Sequence, residues 1–174
     1  MLSLFSSSKS FPYSAAAKIY HTSILEEGAC RYPEEPEEVQ IAFAESDFLS
    51  YIRLDFFPRQ GSLYALWQVD TQYVSAARIE PYRDGVLLSG LETAPEYRGR
   101  GYAASLLAAL LETLEVRGIS KVYSHVRKRN RPSLAVHKKC GFRILGDSAV
   151  YLDGSADSRA YTLLKNFEEK EKNA

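Results

Sequence analysis

The chain has 174 residues, enough for one domain with a full core, and 45% of them are hydrophobic. Its 22 Lys and Arg balance 22 Asp and Glu, so bulk charge gives no grip on nucleic acid or an acidic membrane surface, and neither is expected as a partner. The two cysteines, Cys30 and Cys140, and the three histidines, His21, His125 and His137, follow no metal-ligand or disulfide spacing. No metal and no structural disulfide are therefore expected, and two lone thiols suit a reducing, cytoplasmic interior.

In chain order, residues 1–10 lack the apolar core of a signal peptide, and no later run could span a bilayer. Residues 18–23 read as a first strand. The acidic run at residues 33–38 reads as a helix start, because Pro and Glu both suit a first turn; its charge either steers a cationic amine or is a solvated face. Residues 37–44 and 46–57 read as one or two helices ending before Pro58. Residues 62–70 and 72–80 form a hairpin about Asp70-Thr71, and a turn at residues 83–85 leads into a strand over residues 86–93. Leu106, Leu107, Leu110, Leu111 and Leu114 recur at helical spacing, and Gly118 ends that helix. A strand from Ile119, a short helix near residues 133–139, and strands near residues 142–151 and 159–166 complete the chain. Consecutive strands followed by β-α-β-α-β imply an α/β (α+β) mixed sheet flanked by helices in one domain over residues 1–174. The tail at residues 168–172 is charged and reads as solvated. Nothing in the pattern sets the oligomeric state, and a homodimer stays open.

The segment Pro95-Glu-Tyr-Arg-Gly-Arg-Gly-Tyr-Ala-Ala104 joins the strand to the leucine helix. Glycines let backbone N–H groups approach a ligand, and a helix N-terminus favours negative charge, so this is a phosphate or pyrophosphate site. A P-loop would need Lys-Ser/Thr after the last glycine, where Tyr102-Ala103 stands. Gly99-x-Gly101-x-x-Ala104 matches dinucleotide-fingerprint spacing, but residues 94–98 separate strand from glycine and no acid ends the next strand, where Arg127-Lys128-Arg129 stands.

Arg98-x-x-Gly101-x-Ala103 resembles the signature of the GNAT superfamily of acyl-CoA-dependent N-acyltransferases. Asn130-Arg-Pro-Ser-Leu-Ala-Val-His-Lys-Lys-Cys-Gly-Phe142 resembles that family's later motif, at the right distance downstream. The resemblance is firm over residues 86–151, looser over residues 62–82, and outlines a core at residues 42–166. It implies a mostly antiparallel sheet with a splayed central parallel pair, acetyl-CoA as acyl donor, and a primary amine on a small molecule or peptide as acceptor.

By the same resemblance, Leu91 and Thr93 offer backbone groups to the pantetheine arm. Arg98, Gly99, Arg100, Gly101, Tyr102 and Ala103 wrap the pyrophosphate, with Ser105 adding a hydroxyl. Asn130 contacts the cofactor, and Ser133 stands where the family often has Ala. His137 replaces the family's usual Tyr, the proton donor to the leaving thiolate; it either donates a proton or packs. Glu92 and Glu80 are the acidic residues nearest the presumed cleft and the candidate bases; Glu92 faces either substrate or solvent, and some family members use only a water chain. The cluster Arg127-Lys-Arg-Asn-Arg131 is either a solvated loop or a site for the nucleotide phosphates. Phe56, Phe57, Tyr64, Trp67, Tyr73 and Tyr82 either line an acceptor pocket or form core. An N-acetyltransferase acting by direct attack in a ternary complex and a non-catalytic acyl-CoA sensor share the cofactor residues, and the state of His137 divides them.

Overall fold

The computed structural model describes residues 1–168; the end of the charged tail, residues 169–172 among it, lies outside the described residues. A seven-stranded sheet runs through the molecule in the order β1-β2-β3-β4-β5-β9-β6. Its strands are β1 (Leu2–Phe5), β2 (Leu63–Val69), β3 (Gln72–Tyr82), β4 (Gly85–Thr93), β5 (Lys121–Arg127), β6 (Arg143–Gly146) and β9 (Ala160–Asn166), while β7 (Ala149–Val150) and β8 (Ala156–Asp157) form a separate ribbon. Every pairing in the large sheet is antiparallel except β4 with β5.

Five α-helices cover the two faces: α1 (Tyr13–Ile19), α2 (His21–Arg31), α3 (Glu37–Tyr51), α4 (Tyr102–Val116) and α5 (Arg131–Lys139). Strand alternation divides the core between them. Ala65, Ala77 and Ile79 face the α4 leucines, whereas Tyr64, Leu66 and Ala76 face the cluster built on Ala16, Ile19, Tyr20, Ile24 and Ala44 of α1 to α3. Leu106, Leu107 and Leu110 are fully buried, each contributing about 1.5–3 kcal/mol by burial. Among the described residues, no helix is long and apolar enough to cross a membrane.

The expected hairpin, the turn at residues 83–85, the leucine helix and the splayed pair are all present. Residues 37–57 form one helix, α3, continued by a wider π turn (Ile52–Phe56) that ends before Pro58. Residues 142–151 break into β6 and β7.

Residues 18–23 are a correction: they close α1 and open α2 instead of forming a strand. Ile19, Tyr20 and Ile24 lie in one core cluster because the helical turn carries them to the sheet face together. The first strand is instead β1, paired with β2 from Leu2↔Trp67 to Phe5↔Tyr64.

Candidate functional site: a cleft at the splayed strands and the cavity behind it

The parallel pair β4–β5 holds register only over Val86↔Val122, Leu87↔Tyr123 and Leu88↔Ser124. Beyond Leu88 the β4 edge has no strand beside it on that side, while β5 stays paired with β9 as far as Arg127↔Ala160. The divergence starts at an irregularity in β4 opposite Ala76 to Arg78, where Gly90 takes φ +58°, a left-handed conformation that suits glycine. The Tyr20 hydroxyl donates to the Gly90 carbonyl and fixes the bend. Unpaired backbone on a half-buried edge is a template for an extended ligand.

This edge opens into a cleft of about 750 Å³ lined by Leu91, Glu92, Thr93, Tyr97, Arg98, Gly99, Gly101, Tyr102, Ala103, Asn130, Ser133 and Val136. Gly99 and Gly101 have φ +75° and +82°, and a Cβ on either would meet nothing within 4 Å. The space over the loop is therefore free for a ligand that needs close backbone approach. Gly101 precedes α4 with no side-chain cap, and the first capping-type bond runs from Ser105 N to Gly101 O at 3.0 Å. The N–H groups of Tyr102, Ala103 and Ala104 thus stay available at the positive end of the helix dipole. This arrangement fits a pyrophosphate joined to an extended arm.

Most expected cofactor residues converge here, but three are placed differently. Arg100 is exposed, lies over the Tyr97 ring at 5.6 Å, and does not line the cleft. Ser105 lines another concavity, with Ala108, Glu112, Lys139 and Cys140. It lies two residues beyond Ala103, about 200° round the helix, and so faces away from the cleft. Arg98 lines the cleft, yet its guanidinium is engaged: Nε donates to Thr93 O at 2.9 Å, and Nη2 donates to Thr22 Oγ1 at 2.9 Å and to Glu92 Oε1 at 3.4 Å. It ties the loop to the end of β4 and to α2.

Asn130 caps α5, its Oδ1 accepting from Ser133 N at 3.1 Å. Thr93 exchanges a 2.6 Å hydroxyl contact with Ser75 that holds the strand end. In the basic cluster, Lys128 pairs with Asp147 at 2.8 Å, and Arg127, Arg129 and Arg131 are exposed.

His137 is placed differently from a thiolate proton donor. It is 1% exposed, lies edge-on to Phe142 at 5.0 Å, and is absent from the cleft lining. Its Nδ1 is 2.8 Å from Ser133 O, and a carbonyl only accepts, so Nδ1 carries the proton. Nε2 is left as a buried lone pair without a partner. Burial pushes the imidazole pKa below its ordinary value, so the ring is neutral near pH 7 and offers no proton at Nε2.

Glu92 stands at a junction. Besides the cleft, it lines a second cavity of about 440 Å³ beneath α2 and α3, with Tyr20, Ser23, Ile24, Phe48, Tyr51 and Arg78. It accepts from Ser23 Oγ at 2.7 Å, and burial raises its carboxyl pKa above the ordinary value despite Ser23 and Arg98. A raised carboxylate pKa makes a stronger base. Glu80 pairs with Arg59 at 2.8 Å and lines neither cavity. Of the aromatic residues singled out by sequence, Phe56, Phe57, Tyr64 and Tyr82 are buried, and none of the six lines this cavity.

Sequence reasoning passed over Tyr20, Tyr51 and Arg78. The signal for Arg78 was a glycine inside an apolar strand, Gly90, which marks a bulge or the close approach of another group. Among the described residues no group of three or more His, Cys, Asp or Glu gathers to hold a metal ion.

The fold is shared with known proteins. The chain is 36% identical over 85 residues to a [Ribosomal protein bS18]-alanine N-acetyltransferase of Haemophilus ducreyi, covering 48% of this chain and 59% of that protein. It is 28% identical over 89 residues to the Salmonella typhimurium protein of the same name, covering 50% and 60%. The chain thus spans about 60% of the length of the curated relatives it matches. Its fold superposes on PaiA N-acetyltransferase from Thermoplasma acidophilum in complex with coenzyme A, with TM-score 0.62, 16% identity, and coverage of 96% of this chain and 99% of that one. A ribosomal-protein-alanine N-acetyltransferase from Brucella melitensis superposes with TM-score 0.62 at 20% identity and the same coverage. With the Acetyltransferase (GNAT) family profile matching residues 21–142, across the splayed strands, the glycine loop and the α5 motif, the chain belongs to the GNAT family of acetyltransferases.

Proposed function

We propose that the chain is an acetyl-CoA-dependent N-acetyltransferase that passes an acetyl group to a primary amine by direct attack, with both substrates bound at once. The observation that supports this best is the position of Glu92, a carboxylate with raised pKa lining both the cofactor-sized cleft and the cavity behind it. On this reading the pyrophosphate rests on the Gly99–Gly101 loop and the α4 N-terminus, and the acyl arm lies along the free β4 edge. A backbone N–H of that edge polarises the thioester carbonyl. The amine enters from the inner cavity and gives its proton to Glu92. Its nitrogen bonds to the carbonyl carbon, and the C–S bond breaks. The thiolate, with a conjugate-acid pKa near ~8.5, leaves without an obligatory acid and takes its proton from water. Holding amine and thioester together supplies much of the acceleration.

The names of the curated relatives make the α-amine of an alanyl peptide the first acceptor to test. A cytoplasmic setting accompanies the proposal, since Cys30 and Cys140 are both free.

The burial of His137 favours a second reading, an acyl-CoA-binding sensor that does not turn over. The test is thiol release from acetyl-CoA across a panel of amines that includes alanyl peptides and free amino acids. Amine-dependent release that falls in a Glu92→Gln variant supports the enzyme. Tight acetyl-CoA binding with no release from any amine supports the sensor.

A further inference from the structure

The inner cavity holds a cation, Arg78, with which none of the carboxylates on its wall, Glu27, Asp47 and Glu92, forms an ion pair. Arg78 lies on β3 two residues from Ala76, on the face covered by α1 to α3, and its side chain lines the cavity. Its Nε is buried with no hydrogen-bond partner, and among the described residues no carboxylate lies within ion-pair distance of it. The acids nearby, of which Glu27 and Asp47 also line the cavity, are engaged with other partners. Asp47 pairs with Arg31 at 2.9 Å, Glu27 with the same Arg31 at 3.6 Å, and Glu80 with Arg59 at 2.8 Å. Glu92, on the same wall, is held by Arg98 and Ser23.

In direct contact with Arg78 the protein provides ring faces rather than a paired carboxylate. The guanidinium carbon is 6.0 Å from the Tyr20 ring centre and 5.4 Å from that of Tyr51. Beside it, Gly90 presents no side chain; a Cβ there would meet Nη2 at 2.7 Å and Nε at 2.8 Å. Arginine does not shed its proton in a protein, so this charge persists, and desolvating it without an anion is unfavourable. A planar fork with free donors, facing a cavity of small-molecule size, matches a carboxylate.

We propose that the inner cavity takes a free α-amino acid as acceptor, its carboxylate bound by Arg78 and its amine directed to Glu92. The inference rests on the transferase reading above and narrows its acceptor. With Arg31, Glu27 and Asp47 paired among themselves on the same wall, Arg78 and Glu92 are left as the complement of a zwitterion. An acceptor whose carboxylate is masked as an amide, as in a peptide N-terminus, leaves Arg78 buried and unpaired.

The experiment compares the twenty free amino acids with their amides and with an alanyl peptide, reading thiol release from acetyl-CoA, while calorimetry follows acetyl-CoA binding. At least one amino acid is expected to exceed its own amide in kcat/KM by on the order of 10²-fold, the scale of the charge-assisted hydrogen bonds that the amide forgoes. Arg78→Gln is expected to bring that ratio near one through KM, and Arg78→Lys to restore part of it, with acetyl-CoA affinity unchanged in both. Amides or the alanyl peptide serving as well as or better than every free amino acid would overturn the inference and leave the transferase standing. So would an unchanged ratio in both variants, or acetyl-CoA binding with no turnover of any free amino acid. Absence of acetyl-CoA binding would instead remove the transferase reading itself.

Discussion

The guanidinium of Arg78 rests in the space that a side chain at Gly90 would fill, with Nη2 2.7 Å from the Cβ position. The same glycine, at φ +58°, makes the bend that parts β4 from β5. One residue thus opens the cofactor edge on one side and admits a buried cation on the other. Gly90→Ala is expected to destabilise the fold by about 1–3 kcal/mol, because strained backbone and a displaced guanidinium add together. Urea denaturation measures the loss. Any remaining folded enzyme should show a raised acceptor KM.

Gly101 tests the loop in a different way. A Cβ there meets nothing within 4 Å, so Gly101→Ala carries only the left-handed backbone penalty of about 1–2 kcal/mol. The added methyl points into the space where phosphates would approach. Loss of acetyl-CoA affinity by about tenfold or more, with a modest change in Tm, is the expected pattern, and calorimetry beside thermal melting separates the two effects.

Glu92→Gln is expected to lower kcat by about 10²–10⁴, the usual worth of a general base, with little change in acetyl-CoA affinity. The pH profile carries the signature. The base works deprotonated, so kcat/KM should rise with pH through a pKa above the ordinary 4.5, and that limb should vanish in the variant. Stability moves the other way. A carboxyl with a raised folded pKa binds more protons folded than unfolded, so its contribution falls as pH rises above 4.5. At neutral pH the Gln variant should therefore be at least as stable as the parent.

His137 and His125 both have pKa values lowered by burial below 6.5. Below that value the unfolded chain binds the protons first, so stability is lost as pH falls through and below 6.5. His137→Phe is expected to flatten part of this slope between pH 7.5 and 5.5 in urea denaturation, and His125→Phe another part. If the His137 variant keeps turning over at near-parental kcat, the side chain packs and does not donate a proton.

The elements best legible in the sequence are those whose pattern is long and singly determined. Five leucines at helical spacing, buried together, fix α4, and the glycines at 99 and 101 mark the anion loop beside it. Residues 18–23 were misread because a six-residue window holding Ile19 and Tyr20 fits either period, and only packing on Ile24 and Ala44 decides for helix. His137 sits where its motif position demands, but its orientation is set by Phe142 and Ser133, which no spacing rule encodes. Arg78 reads in sequence as an ordinary strand cation beside Glu80. Its isolation follows from Glu80 turning to Arg59 and from helices α1 to α3 covering that face, and both are tertiary facts.

The most direct test of the central claim is calorimetric titration of the full chain with acetyl-CoA, run beside NADH as a control. The account predicts saturable one-to-one binding of acetyl-CoA, with Kd in the ~1 μM–1 mM range usual for substrates, weakened by Gly101→Ala, and no binding of NADH. No heat of binding with acetyl-CoA at millimolar concentration would contradict it, and the cleft between β4 and β5 would need another ligand.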